Sequence, residues 1–481
     1  MTLPEDFIKN TKAALGDRLF DALRNGLEAE APVSIRLNPW KCDGDDGMIE
    51  GSPGQVPWCR NGYYLKSRPN FTFDPMLHAG LYYVQEASSM FLHHVLGQLG
   101  GTPTAVLDLC AAPGGKSTVA RSVLPEGCLL VSNEPIRQRA QVLAENMQKF
   151  GHPGVVVTNN YPEDFKGSGL MFDIIIADVP CSGEGMFRKD PAAIGEWSVQ
   201  NVEKCWRLQR SIVESVWDNL KHGGLLVYST CTFNTKENEE NVRYICEELR
   251  AEALAVDTAA EWHITGSVLP GFDKPVYRFL PGVTEGEGLF MAAMRKHGEH
   301  DGQPCTTKKD NKKKKERNKP RAEKQARPDG SWLLQPDSYD IIDCGNKFTA
   351  VPKAWRGMYD KAAKSLKILS AGVPLGEVKG KDIIPDHALA LSTCLDTAAF
   401  ATAELDYDHA LSYLRKEAVA LPADTPRGYV IVTYKGVPLG FEKNIGNRAN
   451  NLYPAEWKIK SPHTPEGPNE VIRKRQTGLP L

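Results

Sequence analysis

Residues 105–134 read AVLDLCAAPGGKSTVARSVLPEGCLLVSNE, and this stretch decides the fold. It opens with an apolar run at 105–109 and turns through Gly114 and Gly115. Helical sequence then continues to Leu124, and a second apolar run follows at 129–132. Strands apolar at nearly every position are buried on both faces, as in a parallel sheet. The alternation continues downstream. Ala140, Leu143, Met147 and Phe150 lie three or four residues apart on one helix face, stopped by Gly151 and Pro153. Further strands are expected at 155–158, 173–178 and 224–229, with Val202, Trp206, Val213, Val216 and Leu220 forming a helical stripe between the last two. Strands and helices alternating at this spacing predict an α/β fold: an open, doubly wound, Rossmann-like domain. Such sheets bind ligands beyond the carboxyl ends of their strands, so the chemistry is expected just after each strand.

On the N-terminal side, Ile8, Leu15, Leu19, Phe20 and Leu23 recur at roughly helical spacing, and SIRLN (34–38) reads as a strand. A Gly/Pro/Asp-rich loop at 43–57 and a helix at 86–99 follow. On the C-terminal side, an alternating strand at 429–434, a Lys435-Gly436 turn and a return strand at 438–441 predict a hairpin in a small β-rich module. Between these regions, 298–330 carries the run KKDNKKKKERNKPRAEKQAR and almost no apolar residues, so burial cannot offset the entropy lost on ordering it. The expected division is 1–95, an N-terminal helical region; 96–297, the α/β domain; 298–330, a Lys-rich linker; 331–405, a middle module; and 406–481, the β-rich module.

The chain has 481 residues, enough for two to four domains. It is 41% hydrophobic and 25% charged, which excludes fibrous and wholly disordered classes. Its formal charge of −2 hides an uneven distribution, because residues 308–327 alone carry +8. That arm can neutralise phosphates. The 11 cysteines are scattered and include no C-x-x-C pair, which argues against both a disulfide framework and a zinc site. They fit a reducing compartment, and the acidic start MTLPEDFIKN is not a signal peptide. No apolar run reaches the ~20 residues of a membrane span. A cytoplasmic protein with no membrane association is expected, with no obligate protein partner and no metal.

The candidate site residues follow the strands. DLCAAPGGK (108–116) is neither G-x-G-x-x-G nor a phosphate-binding P-loop, but its glycines let a ligand approach the backbone at a helix start. The second strand ends in Asn133-Glu134-Pro135, placing a carboxylate where doubly wound folds hold ribose hydroxyls. The fourth ends in DVPCSGEGMFR (178–188) and the fifth in YSTCTF (228–233). If those strands are neighbours, about 4.8 Å apart, Cys181 and Cys231 face one cleft with Asp178 beside them. A free thiol has a pKa of ~8.5, so such a cleft must favour the thiolate for either cysteine to act.

DLCAAPGGK, DVPCSGEG and STCTF, in this order and spacing, resemble the Sun/Fmu family of RNA cytosine-5 methyltransferases. YVQEASSM (83–90), RKDP (188–191) and GEGLF (286–290) extend the resemblance over roughly 32–296. GYVIVTYKGVPLG (428–440) and NLYP (451–454) resemble the PUA-like RNA-binding module of the bacterial members that modify small-subunit ribosomal RNA. The resemblance implies a Rossmann-like methyltransferase domain, an N-terminal RNA-binding region and a C-terminal PUA-like module. It also implies S-adenosylmethionine as methyl donor and the C5 atom of a ribosomal RNA cytidine as acceptor. Transfer RNA as substrate is the alternative within that chemistry. A non-catalytic ribosome assembly factor is the alternative outside it, although such a protein would have no need of Cys231.

The resemblance assigns the nucleophile to Cys231, release of the product to Cys181, and contact with the base to Asp178, which can also touch the donor. Cys110, Ala111, Ala112, Pro113, Gly114, Gly115 and Lys116 are expected to line the donor pocket, with Glu134 on the ribose. The family often has an acid after the third strand, where Asn160 stands here; an amide can still hydrogen-bond adenine. Arg36, Asn38, Arg188 and Lys189 are expected at the cleft mouth as RNA contacts. The target base must be unpaired or flipped out, because attack at C6 needs the ring face that stacking covers.

Overall fold

The structure is a computed structural model that describes residues 1–42, 49, 52–298, 327–328, 330–463 and 465–472. Most of the Lys-rich linker, residues 299–326 and 329, therefore lies outside the described residues, as does part of the loop at 43–57.

The chain begins with helical sequence at Glu5–Glu28, broken at Gly16, whose φ of 73° interrupts the helical backbone. A four-stranded antiparallel sheet follows: β1 (Val33–Leu37), β2 (Gly54–Gln55), β3 (Gly62–Leu65) and β4 (Tyr82–Val84), in the order β2-β3-β1-β4. The helix expected over 86–99 begins only at Phe91 and runs to Leu99. Its place before Phe91 is taken by a tighter turn, Ser88–Met90, because the Glu86 carboxylate accepts from the Ser88 and Ser89 amides.

The central sheet then builds strand by strand: β5 (Ala105–Asp108), β6 (Leu129–Asn133), β7 (Val155–Thr158), β8 (Phe172–Asp178) and β9 (Leu220–Thr230). β10 (Ala251–Leu254), β11 (Tyr277–Phe279) and β12 (Leu289–Lys296) complete one flank. The spatial order is β10-β12-β9-β8-β5-β6-β7, and the run from β9 to β7 is parallel. Helices Gly115–Val123, Arg137–Phe150 and Val199–Val216 connect these strands. Both faces of the sheet are buried, which explains the continuous apolar runs. Leu107, Val131, Ile175 and Leu226 pack into one core and Val106, Leu130, Ile176 and Val227 into the other. The chain order reverses between β5 and β8, so the crevice beyond Asp108 and Asp178 is where this architecture binds ligands.

The region expected to be a separate middle module is not self-contained. β13 (Tyr339–Asp343) and β14 (Lys347–Pro352) form a small sheet, but β15 (Ile368–Ala371) leaves it and pairs antiparallel with β7. That makes β15 the far edge of the central sheet. β16 (Val373–Lys379) and β17 (Asp382–Pro385) return to the small sheet. The expected boundary at 405/406 also moves. β18 (Ala401–Leu405) pairs in parallel with β19 (Gly428–Tyr434), the first strand of the anticipated hairpin. With β20 (Val437–Asn444) and β21 (Ala449–Asn451) they form the C-terminal sheet, β18-β19-β20-β21. This sheet packs on the N-terminal region through one shared core. Ile35, Leu37, Phe73 and Met76 meet Leu411, Leu414, Val432 and Leu439 there.

Candidate active site

The site forms where β5, β6, β8 and β9 end. After β5 the chain runs through the Ala111–Gly115 loop, and Gly114 starts the next helix with φ 116°, a left-handed backbone that side chains resist. No side chain caps that helix, so its first amides remain available to a ligand. Asp108 is buried beneath the loop and accepts from the Ser117 hydroxyl at 2.6 Å. Burial pushes its carboxyl up to about 7, and the neighbouring Asp178 charge adds to the effect.

Asn133 ties three strand ends together. Its amide donates to the carbonyls of Leu109 and Asn160, and its oxygen accepts from Thr158 Oγ1 and the Asn160 amide. The sequence reading passed over this residue, because only the assembled sheet shows what a buried amide bridges. Glu134, next along, is 1% exposed. One carboxylate oxygen accepts from the Ile136 amide at 3.0 Å, while Oε2 accepts no hydrogen bond. Arg139 stands 3.6 Å from it. A buried carboxylate oxygen that accepts no hydrogen bond favours a ligand that can donate one. That acceptor, with only the longer Arg139 ion pair, the Gly114 turn and the open helix start together suit a ligand carrying ribose hydroxyls. Asn160 stands differently: its side-chain oxygen accepts from the Lys367 amide at 2.9 Å and its Nδ2 donates to Asp164 at 3.2 Å. Each end of that amide makes one bond within the chain and leaves a second N–H and a second acceptor site.

Across the crevice, Asp178 and Ser229 end neighbouring strands in register. Ser229 Oγ donates to Asp178 Oδ1 at 2.7 Å, and Lys116 Nζ reaches Oδ2 at 2.9 Å. Burial disfavours the Lys116 ammonium, but the Asp178 ion pair, with the Glu86 and Asp108 charges, raises its pKa on balance. Beyond these strands Cys181 and Cys231 converge, with their sulfurs 3.1 Å apart. The hydrogen bond to Cys231, reinforced by burial, holds the Cys181 thiol well above the usual cysteine range. Both sulfurs line a cavity of about 480 Å³ together with Lys116, Asp178, Lys189 and Glu287.

Behind the cysteines lies a buried polar network that the sequence reading missed. Glu184 accepts from the main-chain amides of Phe233 and Asn234 and from Trp197 Nε1. Glu237 accepts from the Ser182 amide, Gln209 and Asn234. Burial, aided by the Glu184 charge, pushes Glu237 up to about 7. Glu184 lies within the quoted DVPCSGEG string, but its partner strand is remote in sequence.

Three of the four residues expected to touch RNA do something else. Arg36 is 1% exposed and donates to Gln85, Ser122 and Thr118, fastening the N-terminal sheet to the helix after the Gly114 turn. The Asn38 amide donates to the carbonyls of Gly80 and Phe150. Arg188 pairs with Glu287 at 2.7 Å and donates to the carbonyls of Gly26 and Gly286. All three side chains are buried and bonded inside the protein, so none is placed to meet a phosphate. Lys189 is 41% exposed at the cavity rim, 3.5 Å from Glu287, and is available to a ligand. Among the described residues no cluster of His, Cys, Asp and Glu could hold a metal, and no helix is long and apolar enough to cross a membrane.

Comparison with known proteins gives a consistent picture. Residues 101–295 match the family described as 16S rRNA methyltransferase RsmB/F, 3–87 match the N-terminal domain of 16S rRNA methyltransferase RsmF, and 400–459 match the methyltransferase RsmF PUA domain. The ribosomal RNA small subunit methyltransferase F of Enterobacter sp. (strain 638) is 31% identical over 476 residues, covering 94% of this chain and 95% of that protein. The corresponding protein of Aeromonas salmonicida is 30% identical over 94% of this chain and 97% of its own length. Among solved structures, NSun6 from Pyrococcus horikoshii with SFG aligns at a TM-score of 0.51 and 19% identity, over 62% of this chain and 99% of that one. A methyltransferase homolog protein from the same organism aligns at 0.50 and 24% identity, over 61% and 100%. These two share the fold.

Proposed function

Because the chain belongs to the family of ribosomal RNA small subunit methyltransferases F, we propose that it methylates C5 of a cytidine in small-subunit ribosomal RNA, using S-adenosylmethionine and a covalent enzyme–RNA adduct. The observation that carries this reading is the pair of cysteine sulfurs, 3.1 Å apart in a cavity shared with Asp178. A single reactive cysteine would suffice for attack; a second one in contact with it suits a reaction with two distinct sulfur-dependent steps.

S-adenosylmethionine, when bound, supplies an electrophilic methyl group. The residues that would hold it are the Cys110–Lys116 loop and Glu134, whose Oε2 accepts no hydrogen bond in the protein and suits a ribose hydroxyl. Cytosine C5 is too poor a nucleophile to take the methyl group unaided. The Cys231 thiolate adds to C6, and the C5=C6 pair becomes nucleophilic at C5, which is covalent catalysis in its ordinary form. Asp178, steadied by Lys116 and Ser229, takes the N3/N4 edge of the base and keeps the ring oriented. Once C5 carries the methyl group, its proton must leave. Cys181 takes that proton, the C5–H pair re-forms the ring double bond, and the C6–S pair returns to Cys231. The RNA must present the cytidine unstacked, since C6 is reached from the ring face. Lys189 at the rim suits a flanking phosphate, and the PUA domain suits a further RNA contact.

The test is transfer of labelled methyl groups to unmodified small subunits, to naked small-subunit RNA and to transfer RNA, followed by nucleoside analysis. The reading predicts 5-methylcytidine in small-subunit RNA. Label in transfer RNA alone, or on any other nucleoside, contradicts it.

A further inference from the structure

Glu237 does not line the cavity and makes no hydrogen bond to either sulfur, yet its hydrogen bonds converge on the peptide units around Cys181. Its Oε2 accepts from the Ser182 amide at 3.0 Å, immediately after Cys181. The same oxygen accepts from Gln209 Nε2 at 2.7 Å, and that nitrogen also donates to the Pro180 carbonyl at 3.0 Å, immediately before Cys181. Gln209 is itself locked, since its oxygen accepts from Tyr228 at 3.0 Å and Asn241 at 2.7 Å. Glu237 Oε1 accepts from Asn234, three residues beyond Cys231, at 2.9 Å. One carboxylate thus grips both flanks of Cys181 and the loop that carries Cys231.

We propose that Glu237, acting with Gln209, is the positioning residue for Cys181, and that it governs release of the methylated RNA and not the attack on it. The proposal rests on the reading above, in which Cys231 attacks and Cys181 releases. Cys231 follows directly on Thr230, which is still paired with Phe290 of β12, and its carbonyl accepts from the Gly185 amide at 2.7 Å, so its backbone is held without Glu237. Cys181 sits beyond the end of β8, on irregular chain, and depends on side chains to fix it. Release needs the sulfur of Cys181 to meet the C5 proton of a base already bonded to Cys231. In that step the C5–H bond breaks, its electron pair forms C5=C6, and the C6–S pair leaves on Cys231. The proton goes to Cys181 and then to water. A small displacement of Cys181 is felt here and not in C6–S bond formation.

Glu237→Gln in the full-length chain is the test. All three atoms facing this carboxylate are donors, so an amide sets its own NH2 against one of them and loosens the clamp. The expected result is a protein–RNA adduct that forms within about threefold of the wild-type rate but persists on a denaturing gel, with turnover at least tenfold lower. Gln209→Met, which frees the Pro180 carbonyl, is expected to behave in the same way and covers the case in which Glu237→Gln does not fold. Adding Gln209→Met to Cys181→Ala is expected to cost no further turnover, because Gln209 holds the Pro180 side of the clamp and makes no bond to the loop after Cys231. A general structural role would instead slow adduct formation and turnover together and would add to Cys181→Ala. That result overturns the proposal, as does turnover within twofold of wild type. Failure of the underlying reading is separate, because it shows as no adduct in Cys181→Ala alone.

Discussion

The sulfur of Cys181 lies 3.1 Å from the sulfur of Cys231, although 50 positions separate them in the chain. Parallel pairing of β8 with β9 brings the two together, with Asp178 opposite Ser229 at the strand ends. The two-step reaction proposed above rests on this contact. Each surrounding group then makes its own testable statement.

Glu134 is predicted to bind the donor through an oxygen that accepts no hydrogen bond in the protein and has only the Arg139 guanidinium 3.6 Å away. Glu134→Gln should weaken S-adenosylmethionine binding by about tenfold, or ~1.4 kcal/mol, as expected for a hydrogen bond to a charged acceptor. Titration calorimetry without RNA measures this directly. An unchanged Kd would remove the ribose from this carboxylate.

Arg36 is predicted to hold the molecule together and not to touch RNA. Its three side-chain bonds cross from β1 to helix Gly115–Val123 and Gln85. Arg36→Met should destabilise the protein by roughly 2–4 kcal/mol, because buried acceptors lose their donors. RNA affinity per folded molecule should stay within twofold. Denaturant unfolding and a filter-binding titration check the two halves.

Lys189 makes the opposite statement. Lys189→Ala should leave stability within about 0.5 kcal/mol and weaken RNA binding at low salt. The slope of log affinity against log salt should fall by about 1, the signature of one lost phosphate contact. Binding curves at several salt concentrations test it.

Asp108 is predicted to make the protein less stable as pH rises. Its carboxyl is pushed from an ordinary 3.8 up to about 7 by burial. Between those values the folded state holds a proton that the unfolded state has released. Stability from this group is therefore complete below about pH 4 and is lost as pH rises through about 7. Asp108→Asn, which still accepts from Ser117, should be more stable than wild type at pH 8 by about 1–2 kcal/mol. The advantage should shrink by pH 5, and thermal melts at the two pH values test the sign.

Much of the central sheet was legible because burial on both faces writes itself as uninterrupted apolar runs. The runs at 105–109 and 129–132 became β5 and β6, and the candidate site residues lie beyond the strand ends, where that architecture binds ligands. β15 was not legible: a four-residue strand carries little pattern, and its partner β7 lies some two hundred residues earlier. The basic residues misled for a physical reason. Charge is visible in sequence, but the partner that consumes it is not. Arg36 meets Thr118 across 82 positions and Arg188 meets Glu287 across 99. Glu237 was overlooked for the same reason, since its partners come from three separate segments.

The central claim is the division of labour between the two sulfurs, and a denaturing gel of protein incubated with unmodified small-subunit RNA and S-adenosylmethionine tests it most directly. Wild type, Cys181→Ala, Cys231→Ala and the double variant are compared. The account predicts a stable protein–RNA adduct in Cys181→Ala that is absent from Cys231→Ala and from the double variant. An adduct that appears only when Cys231 is replaced would give the attack to Cys181 and contradict the account.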